Sequence, residues 1–195
     1  MNRDKIVIIA SVIILFLLST GASYLFFAKT SLGNVSATPV PLPTVGANGN
    51  VVFSNTLPKT EACPINGVLY SKQQEQWWQQ HRPLGVMIEN SIDARPQSGL
   101  SGADTIYEAV AEGGITRFLS IFYCQDAGEV GPVRSARTYF IDFASEYADY
   151  PLYAHVGGAN QPGPADALGQ LDTYGWTNYN DLNQFSIGFP TFCPY

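Results

Sequence analysis

The sequence predicts a mixed α+β domain, a layered sandwich that contains a β-hairpin and is preceded by one transmembrane helix. Three observations support this class. An uncharged apolar run covers residues 6–27, two strand-like segments (104–112 and 115–123) flank a Gly-Gly pair, and strand-like and helical segments are mixed along the rest of the chain. Strands and helices mixed in this way, with at least one hairpin, favour an α+β layered architecture.

The apolar run predicts a membrane anchor. At about 1.5 Å per residue a helix over 6–27 spans about 33 Å, enough to cross a hydrocarbon core of about 30 Å. We assign residues 1–5 to a cytoplasmic N-terminus and 6–28 to a single-pass signal anchor in the cytoplasmic membrane, because Arg3 and Lys5 precede the run and Lys29 follows it. Cleavage near Gly21-Ala22-Ser23 is the alternative. The first cysteine after the run is Cys63, which disfavours lipid attachment.

The rest of the chain divides into a linker and a domain. Residues 29–62 are rich in Pro, Ser, Thr and Gly, a composition typical of a flexible linker. Residues 63–195 form the predicted extracytoplasmic domain, which we expect to be truncated because it ends in an aromatic-rich run without a charged tail. The net charge of −6, with 10 Lys+Arg against 16 Asp+Glu, argues against nucleic-acid binding.

The three cysteines favour a disulfide over a metal site. Outside the cytoplasm, Cys63 and Cys124 could close a loop of about 60 residues, worth about 4 kcal/mol on the chain-entropy model. The alternative is that these two and Cys193 are unpaired, buried thiols. No Cys or His pair has zinc-ligand spacing, so we expect neither a metal nor a cofactor.

The elements of the domain follow from hydrophobic periodicity. We predict a buried strand over 83–89, a helix over 133–148, a strand over 152–156 and a helix that begins at Pro164. In the hairpin, a two-residue Gly113-Gly114 turn sets Val110 opposite Arg117. One face of the hairpin then carries Glu108, Val110, Glu112, Arg117 and Leu119, and the core face carries Tyr107, Ala109, Ala111, Phe118, Ser120 and Phe122.

Arginines at the start of the predicted 133–148 helix suggest a binding site. Arg134 and Arg137 lie in its first turns, where the helix dipole disfavours cations. Such an arrangement indicates either a structural carboxylate partner or an anionic ligand, and the planar guanidinium suits both. A salt network between Arg117, Glu108 and Glu112 is favoured over paired glycosidase carboxylates, since about 13 Å separates the two glutamates along a strand.

Two further features lie around the 152–156 strand. The segment 156–164, which includes Gly157 and Gly158, links this strand to a helix and could expose backbone N–H groups to an anion. The alternative is a turn that needs glycine for its conformation. His155 is the better of the two histidines for acid–base chemistry, although a lone histidine is more often a hydrogen-bonded structural residue.

Five ordered blocks carry a family resemblance: Arg82–Asn90, Ala94–Ser101, Glu112–Phe118, Gly131–Arg137 and Tyr153–Gly158. On these blocks the chain resembles the YerB-like family of bacterial envelope proteins, a domain of unknown function often described as a lipoprotein. The resemblance implies a layered α/β sandwich facing the cell exterior and no established reaction, so no catalytic residue is carried over. Residues on these blocks are our candidates for a ligand-facing cleft: Arg95, Glu112, Arg117, Arg134, Arg137, His155, Gly157 and Gly158.

The sequence thus predicts a membrane-anchored, extracytoplasmic binding module without catalytic activity, whose partner is an anionic or cell-wall ligand or a protein. The first alternative is a cell-envelope hydrolase directed at peptidoglycan, in which His155 acts with Glu112 or Asp166. The second is a structural module for protein–protein interaction.

Overall fold

The computed structural model describes residues 3–29, 39–47, 49–147 and 150–193. The chain divides into two compact units, Met1–Val40 and Pro41–Tyr195. In the first unit, helix α1 covers Arg3–Lys29. Its segment Lys5–Phe26, 22 residues with a mean hydropathy of 2.5, is long and apolar enough to cross a membrane. A signal sequence near an N-terminus would meet the same criterion.

The second unit is an α+β domain, as predicted. Its strands form one five-stranded sheet and two small two-stranded sheets, and its helices are interspersed among the strands along the chain. The elements are β1 (Thr44–Val45), β2 (Val51–Val52), β3 (Lys59–Ala62), β4 (Leu69–Ser71), α2 (Lys72–Trp78), β5 (Leu84–Glu89), β6 (Thr105–Val110), β7 (Thr116–Phe122), α3 (Thr138–Ser145), β8 (Leu152–His155), α4 (Ala167–Thr173), β9 (Asp181–Asn183) and α5 (Gln184–Ile187).

The main sheet has the order β6-β7-β5-β8-β9. Strand β7 is antiparallel to both of its neighbours, whereas β5, β8 and β9 are mutually parallel. Side chains on a strand alternate between the two faces of the sheet. Buried clusters cover both faces of this sheet. One face of the sheet packs with α3 and α4 in a core that includes Met87, Leu119, Phe140 and Leu171. On the other face, Val86 and Ile88 pack with loop residues.

The hairpin is present, but its predicted register is wrong by one residue. The structure pairs Val110 with Thr116 and Ala109 with Arg117. The cause is the loop: Ala111 N–H donates to the Ile115 carbonyl at 2.7 Å, which leaves three residues in the turn where the prediction had two. The side chains of each strand alternate as expected, but the shifted register places different residues of the two strands on the same face of the hairpin. Arg117 shares its face with Tyr107 and Ala109, and Phe118 shares the opposite face with Glu108.

The helix predicted over 133–148 starts later in the structure than expected. Helix α3 starts at Thr138, and Arg137 precedes it with extended backbone angles (φ −138°, ψ 145°). Residues 133–136 are extended because their backbone groups bond to strand β5 and to the chain after β8. The argument from the helix dipole therefore fails. The second predicted helix also begins later than expected, at Ala167 and not at Pro164. Asp166 caps this helix, α4, by accepting from Gly169 N–H at 2.9 Å.

Part of the segment assigned to the linker lies in the compact unit, which starts at Pro41. The Pro41 carbonyl accepts from Gln73 at 2.6 Å, and Val51 N–H donates to Asp126 at 2.6 Å. The Phe53 ring contacts the Trp77 ring edge-on at 5.4 Å between centroids. These contacts fasten residues 41–53 to the domain.

A disulfide joins Cys63 to Cys124, the pair nominated from the sequence, with 2.07 Å between the sulfur atoms. Both half-cystines are buried in a small cluster with Tyr70 and Trp78. The third cysteine, Cys193, is a free, exposed thiol, so the alternative of three unpaired, buried cysteines is wrong.

Candidate functional site at the carboxyl ends of the parallel strands

The parallel strands β5 and β8 separate at their carboxyl ends. They pair from Leu84 to Val86, and beyond this point residues 133–136 lie between them. Arg134 N–H donates to the Met87 carbonyl at 2.8 Å, and the Arg134 carbonyl accepts from Val156 N–H at 3.0 Å. After β5 the chain builds β7 and β6 on one side of it and then β8 and β9 on the other. In open α/β sheets, ligands bind outside the carboxyl ends of the strands at such a reversal of strand order.

Arg134 lies at this reversal of strand order. Its Nε donates to Oε2 of Glu89, the last residue of β5, in a very short ion pair. The glutamate side chain is 9% exposed and that of the arginine is 54% exposed. Ser91 N–H donates to the second carboxylate oxygen of Glu89 at 3.3 Å. A buried carboxylate thus orients a guanidinium that stays accessible to solvent.

A second ion-pair group lies beside it, between the hairpin and the start of α3. Glu112 receives hydrogen bonds from Arg137, at very short range, and from Arg117 at 2.9 Å. Arg117 also donates to the Ser135 carbonyl at 3.2 Å. Its side chain is 9% exposed, that of Arg137 is 17% exposed and that of Glu112 is 61% exposed. Two arginines are therefore held in place by one glutamate at the rim.

The environment shifts the pKa values of this group. Burial lowers the pKa of Arg117, and the neighbouring cation Arg137 lowers it further. Burial alone would raise the pKa of Glu112, but hydrogen bonds from its own backbone N–H and from Arg137 outweigh it, so the Glu112 pKa lies below its ordinary value. The cluster therefore holds an ionised carboxylate between two cations.

Arg95 belongs to a neighbouring polar network. It donates to the side-chain and backbone oxygens of Asn90, both at 3.2 Å. Asn90 in turn donates to Glu108 at 3.1 Å and to Thr116 at 2.7 Å. Glu108 therefore contacts Asn90 and Thr116, and the predicted salt network of Arg117 contains Glu112 but not Glu108. The register explains this difference, because Glu108 and Arg117 lie on opposite faces.

His155 is fully buried, and both of its ring nitrogens are engaged. Nδ1 lies 2.7 Å from the Gly157 carbonyl and Nε2 lies 2.6 Å from Oδ1 of Asp181. Both ring nitrogens therefore already have oxygen partners within the protein. Neither ring nitrogen is directed to Glu112 or Asp166, the partners proposed for a hydrolase. The geometry is that of a structural histidine that ties β8 to β9.

The two glycines serve the turn after β8. Gly157 has a positive φ of 57°, a Cβ at this position would lie 3.0 Å from the Phe185 ring, and its N–H donates to Asn183 at 3.2 Å. Gly158 forms a bridge with Ala136. These contacts favour the alternative of a conformational turn, because the Gly157 N–H already has a protein acceptor.

The structure thus brings most of the predicted residues to one edge of the sheet, in three groups: the Arg134–Glu89 pair, the ion pairs of Glu112 and the polar network of Arg95. It adds Glu89, Asn90, Ser135 and Asp181, which sequence reasoning missed. The first two carried a usable signal, since they are the polar residues that end and follow a buried strand. Asp181 carried none, because it lies 26 residues from its partner His155.

Comparison with known proteins matches this architecture to a family. The profile of the N-terminal domain of a protein family of unknown function, DUF3048, matches residues 69–181, more than half of the chain. This chain belongs to the DUF3048 family. It is 43% identical over 116 residues to a Bacillus subtilis (strain 168) protein named "Putative lipoprotein YerB", covering 56% of this chain and 33% of that protein. The YerB-like resemblance expected from the sequence is therefore confirmed.

A solved relative supports the fold of this DUF3048 chain. The crystal structure of the YerB protein from Bacillus subtilis superposes with a TM-score of 0.54 at 37% identity, covering 67% of this chain and 40% of that one. This YerB-like chain spans a third of the length of the curated relative. The named lipoprotein relative and the apolar helix α1 indicate association with a membrane or the cell envelope.

Proposed function

We propose that the chain is a membrane-anchored, extracytoplasmic binding module without catalytic activity, which binds an anionic cell-envelope ligand in the crevice between β5 and β8. In this proposal α1 crosses the membrane once, with the N-terminus in the cytoplasm. The observation that carries the proposal is the position of Arg134 at the point where the strand order reverses.

The charges around the crevice support an anionic ligand. The three groups contain the arginines at positions 95, 117, 134 and 137 and the glutamates at positions 89, 108 and 112, one more cation than anions. Glu89 engages Nε of Arg134 while more than half of that side chain stays exposed. A guanidinium held in this way can offer its outer edge to a carboxylate or phosphate, whose two oxygens match its planar fork.

The hydrolase alternative loses support from the surroundings of His155. A general base needs a ring nitrogen within hydrogen-bond reach of the reacting proton. Both nitrogens of His155 already bond to acceptors, and the side chain is fully buried. A binding role therefore fits the site better than acid–base catalysis through this histidine.

Thermal unfolding of the full chain in detergent micelles tests the proposal. Inorganic phosphate and citrate serve as probes against chloride at equal ionic strength. We expect either probe to raise the melting temperature, since a ligand that binds only the folded state stabilises it. Arg134→Gln should abolish the rise, whereas Lys59→Gln, which removes an exposed charge on β3, should retain it. Equal shifts in both variants would place the anion elsewhere.

A protein–protein interaction module is the second candidate, favoured by exposed aromatic residues near β9 and α5. Tyr179, Phe185 and Phe189 are each at least 75% exposed. Solvent-exposed aromatic residues of this kind are enriched in protein interfaces. Sedimentation at increasing protein concentration tests whether this surface mediates self-association, and Phe185→Ser together with Phe189→Ser should weaken any association observed.

A further inference from the structure

A cavity of about 530 Å³ lies at the opposite edge of the main sheet from Arg134. Pro83 precedes β5, Tyr123 follows β7 and Tyr150 precedes β8, so the cavity faces the amino ends of the parallel strands. Its volume lies within the range of about 300–1,000 Å³ that small-molecule sites use. We propose that this cavity is a binding site for an uncharged saccharide.

Aromatic side chains form much of the cavity wall. Tyr123, Tyr147 and Tyr150 line it, together with His81. The His81 ring lies against the Trp77 ring, 4.6 Å between centroids. Tyr150 is 65% exposed and forms part of the mouth. Aromatic rings supply rigid apolar faces with a polar tip, which suits the apolar face and the hydroxyl groups of a sugar ring.

The walls are held in place before any ligand binds. The hydroxyl of Tyr147 lies 2.5 Å from that of Tyr107, and burial, followed by this hydrogen bond, raises the Tyr147 pKa. Tyr123 N–H donates to Asp104 at 2.7 Å, directly before the disulfide cysteine Cys124. A pre-formed wall costs less conformational entropy on binding than a mobile one.

The polar groups of the cavity select an uncharged, hydroxyl-bearing ligand. Arg82 supplies donors, and its Nη2 is positioned by the Tyr179 carbonyl at 3.2 Å. Glu146 supplies a carboxylate, which only accepts. Among the described residues that line the cavity, one arginine and one glutamate balance in charge. A sugar hydroxyl can donate to this glutamate and accept from this arginine.

A proline-rich peptide is the main competing occupant, because tyrosine and proline side chains also line polyproline-binding grooves. Proline has no backbone N–H, so such a peptide offers no donor to Glu146. The carboxylate therefore favours the saccharide.

Calorimetric titration of the full chain in micelles tests the proposal. The probes are the trimers of N-acetylglucosamine and of glucose, which separate acetamido recognition from general sugar binding, and a proline decapeptide. We expect saturable binding of at least one trimer. Tyr150→Ala should weaken it about tenfold, the upper end for loss of one aromatic contact. Glu146→Gln should weaken it about threefold, since a charge-assisted hydrogen bond becomes a neutral one.

Tyr179→Ala is the matched control, because this tyrosine is also exposed but contacts Arg82 only through its backbone carbonyl, and it should bind as the unmodified protein does. Thermal unfolding of each variant separates lost binding from lost folding. The proposal is overturned by three outcomes: no trimer binds at about 10 mM, near the weak end of specific affinities; the Tyr150 and Tyr179 variants lose equal affinity; or the decapeptide binds and the trimers do not. Arg134→Gln should leave this binding unchanged, which separates this site from the anion crevice.

Discussion

Loss of the Cys63–Cys124 disulfide should strongly destabilise the domain. The two cysteines are 61 positions apart in the sequence. On the chain-entropy model, a cross-link over a loop of this size lowers the entropy of the unfolded chain by about 14 cal/mol/K, or about 4 kcal/mol at 25 °C. Since domains are stable by only about 5–15 kcal/mol, this is a large fraction of the total.

The assay is urea unfolding of the full chain in micelles, followed by tryptophan fluorescence. All three tryptophans belong to the Pro41–Tyr195 unit, at positions 77, 78 and 176, so the signal reports on this unit alone. The pair Cys63→Ala and Cys124→Ala should lower the free energy of unfolding by about 4 kcal/mol, and reduction of the unmodified protein should have a similar effect.

Cys193→Ala provides the control, because this thiol is free and exposed. Its urea midpoint should equal that of the unmodified protein when both proteins are oxidised, and again when both are reduced. Equal midpoints for the oxidised and reduced unmodified proteins would refute the reasoning and show that the cross-link contributes nothing to stability.

Two further predictions concern residues of the candidate functional site, Glu112 and His155. Because the folded state lowers the pKa of Glu112 below its ordinary value of 4.5, its ion pairs contribute stability that is present above pH 4.5 and is lost as the pH falls through the lowered value. The difference in stability between the unmodified protein and Glu112→Gln should therefore shrink over that interval in a pH series of urea titrations, and a constant difference would contradict it. His155→Ala should lower the free energy of unfolding by about 1–3 kcal/mol, since it removes the hydrogen bond by which His155 joins β8 to Asp181 of β9. A fully stable His155→Ala protein would show instead that the pair is not structural.

The sequence predicts the strands well where a signal is local. The apolar run at 83–89 becomes β5 at Leu84–Glu89, and the strand over 152–156 becomes β8 at Leu152–His155. Both lie in the middle of the sheet, where burial on two faces demands a continuous apolar run. The hairpin strands were also located, but their register depends on the number of residues in the turn, which the Gly-Gly pair alone does not determine.

Long-range contacts explain what the sequence did not predict. The periodic apolar residues Ala136, Phe140, Phe143 and Tyr147 all contribute to the core on the α3 side, so the amphipathic pattern was real. Residues 133–136 are nonetheless extended, because the Met87 and Gly157 backbones supply their hydrogen-bond partners. Nothing near Arg134 in the sequence indicates that these distant strands open to receive it.

This same feature gives Arg134 its significance, although the argument that first selected it was wrong. Had the residue lain in a helical turn, its guanidinium would have opposed the helix dipole and would have needed a carboxylate merely to offset that cost. In the extended segment its backbone completes the hydrogen bonding of two separating strands, and Glu89 at the end of β5 orients its side chain. The backbone fills the gap between β5 and β8, while the side chain remains more than half exposed. The packing of the sheet depends on this backbone, and a glutamine at position 134 keeps a side-chain N–H donor for the buried Glu89 carboxylate. Arg134→Gln therefore removes the charge, and its melting temperature without any probe measures the cost of the lost ion pair. The test of the proposed anion binding is in this way kept separate from a test of folding.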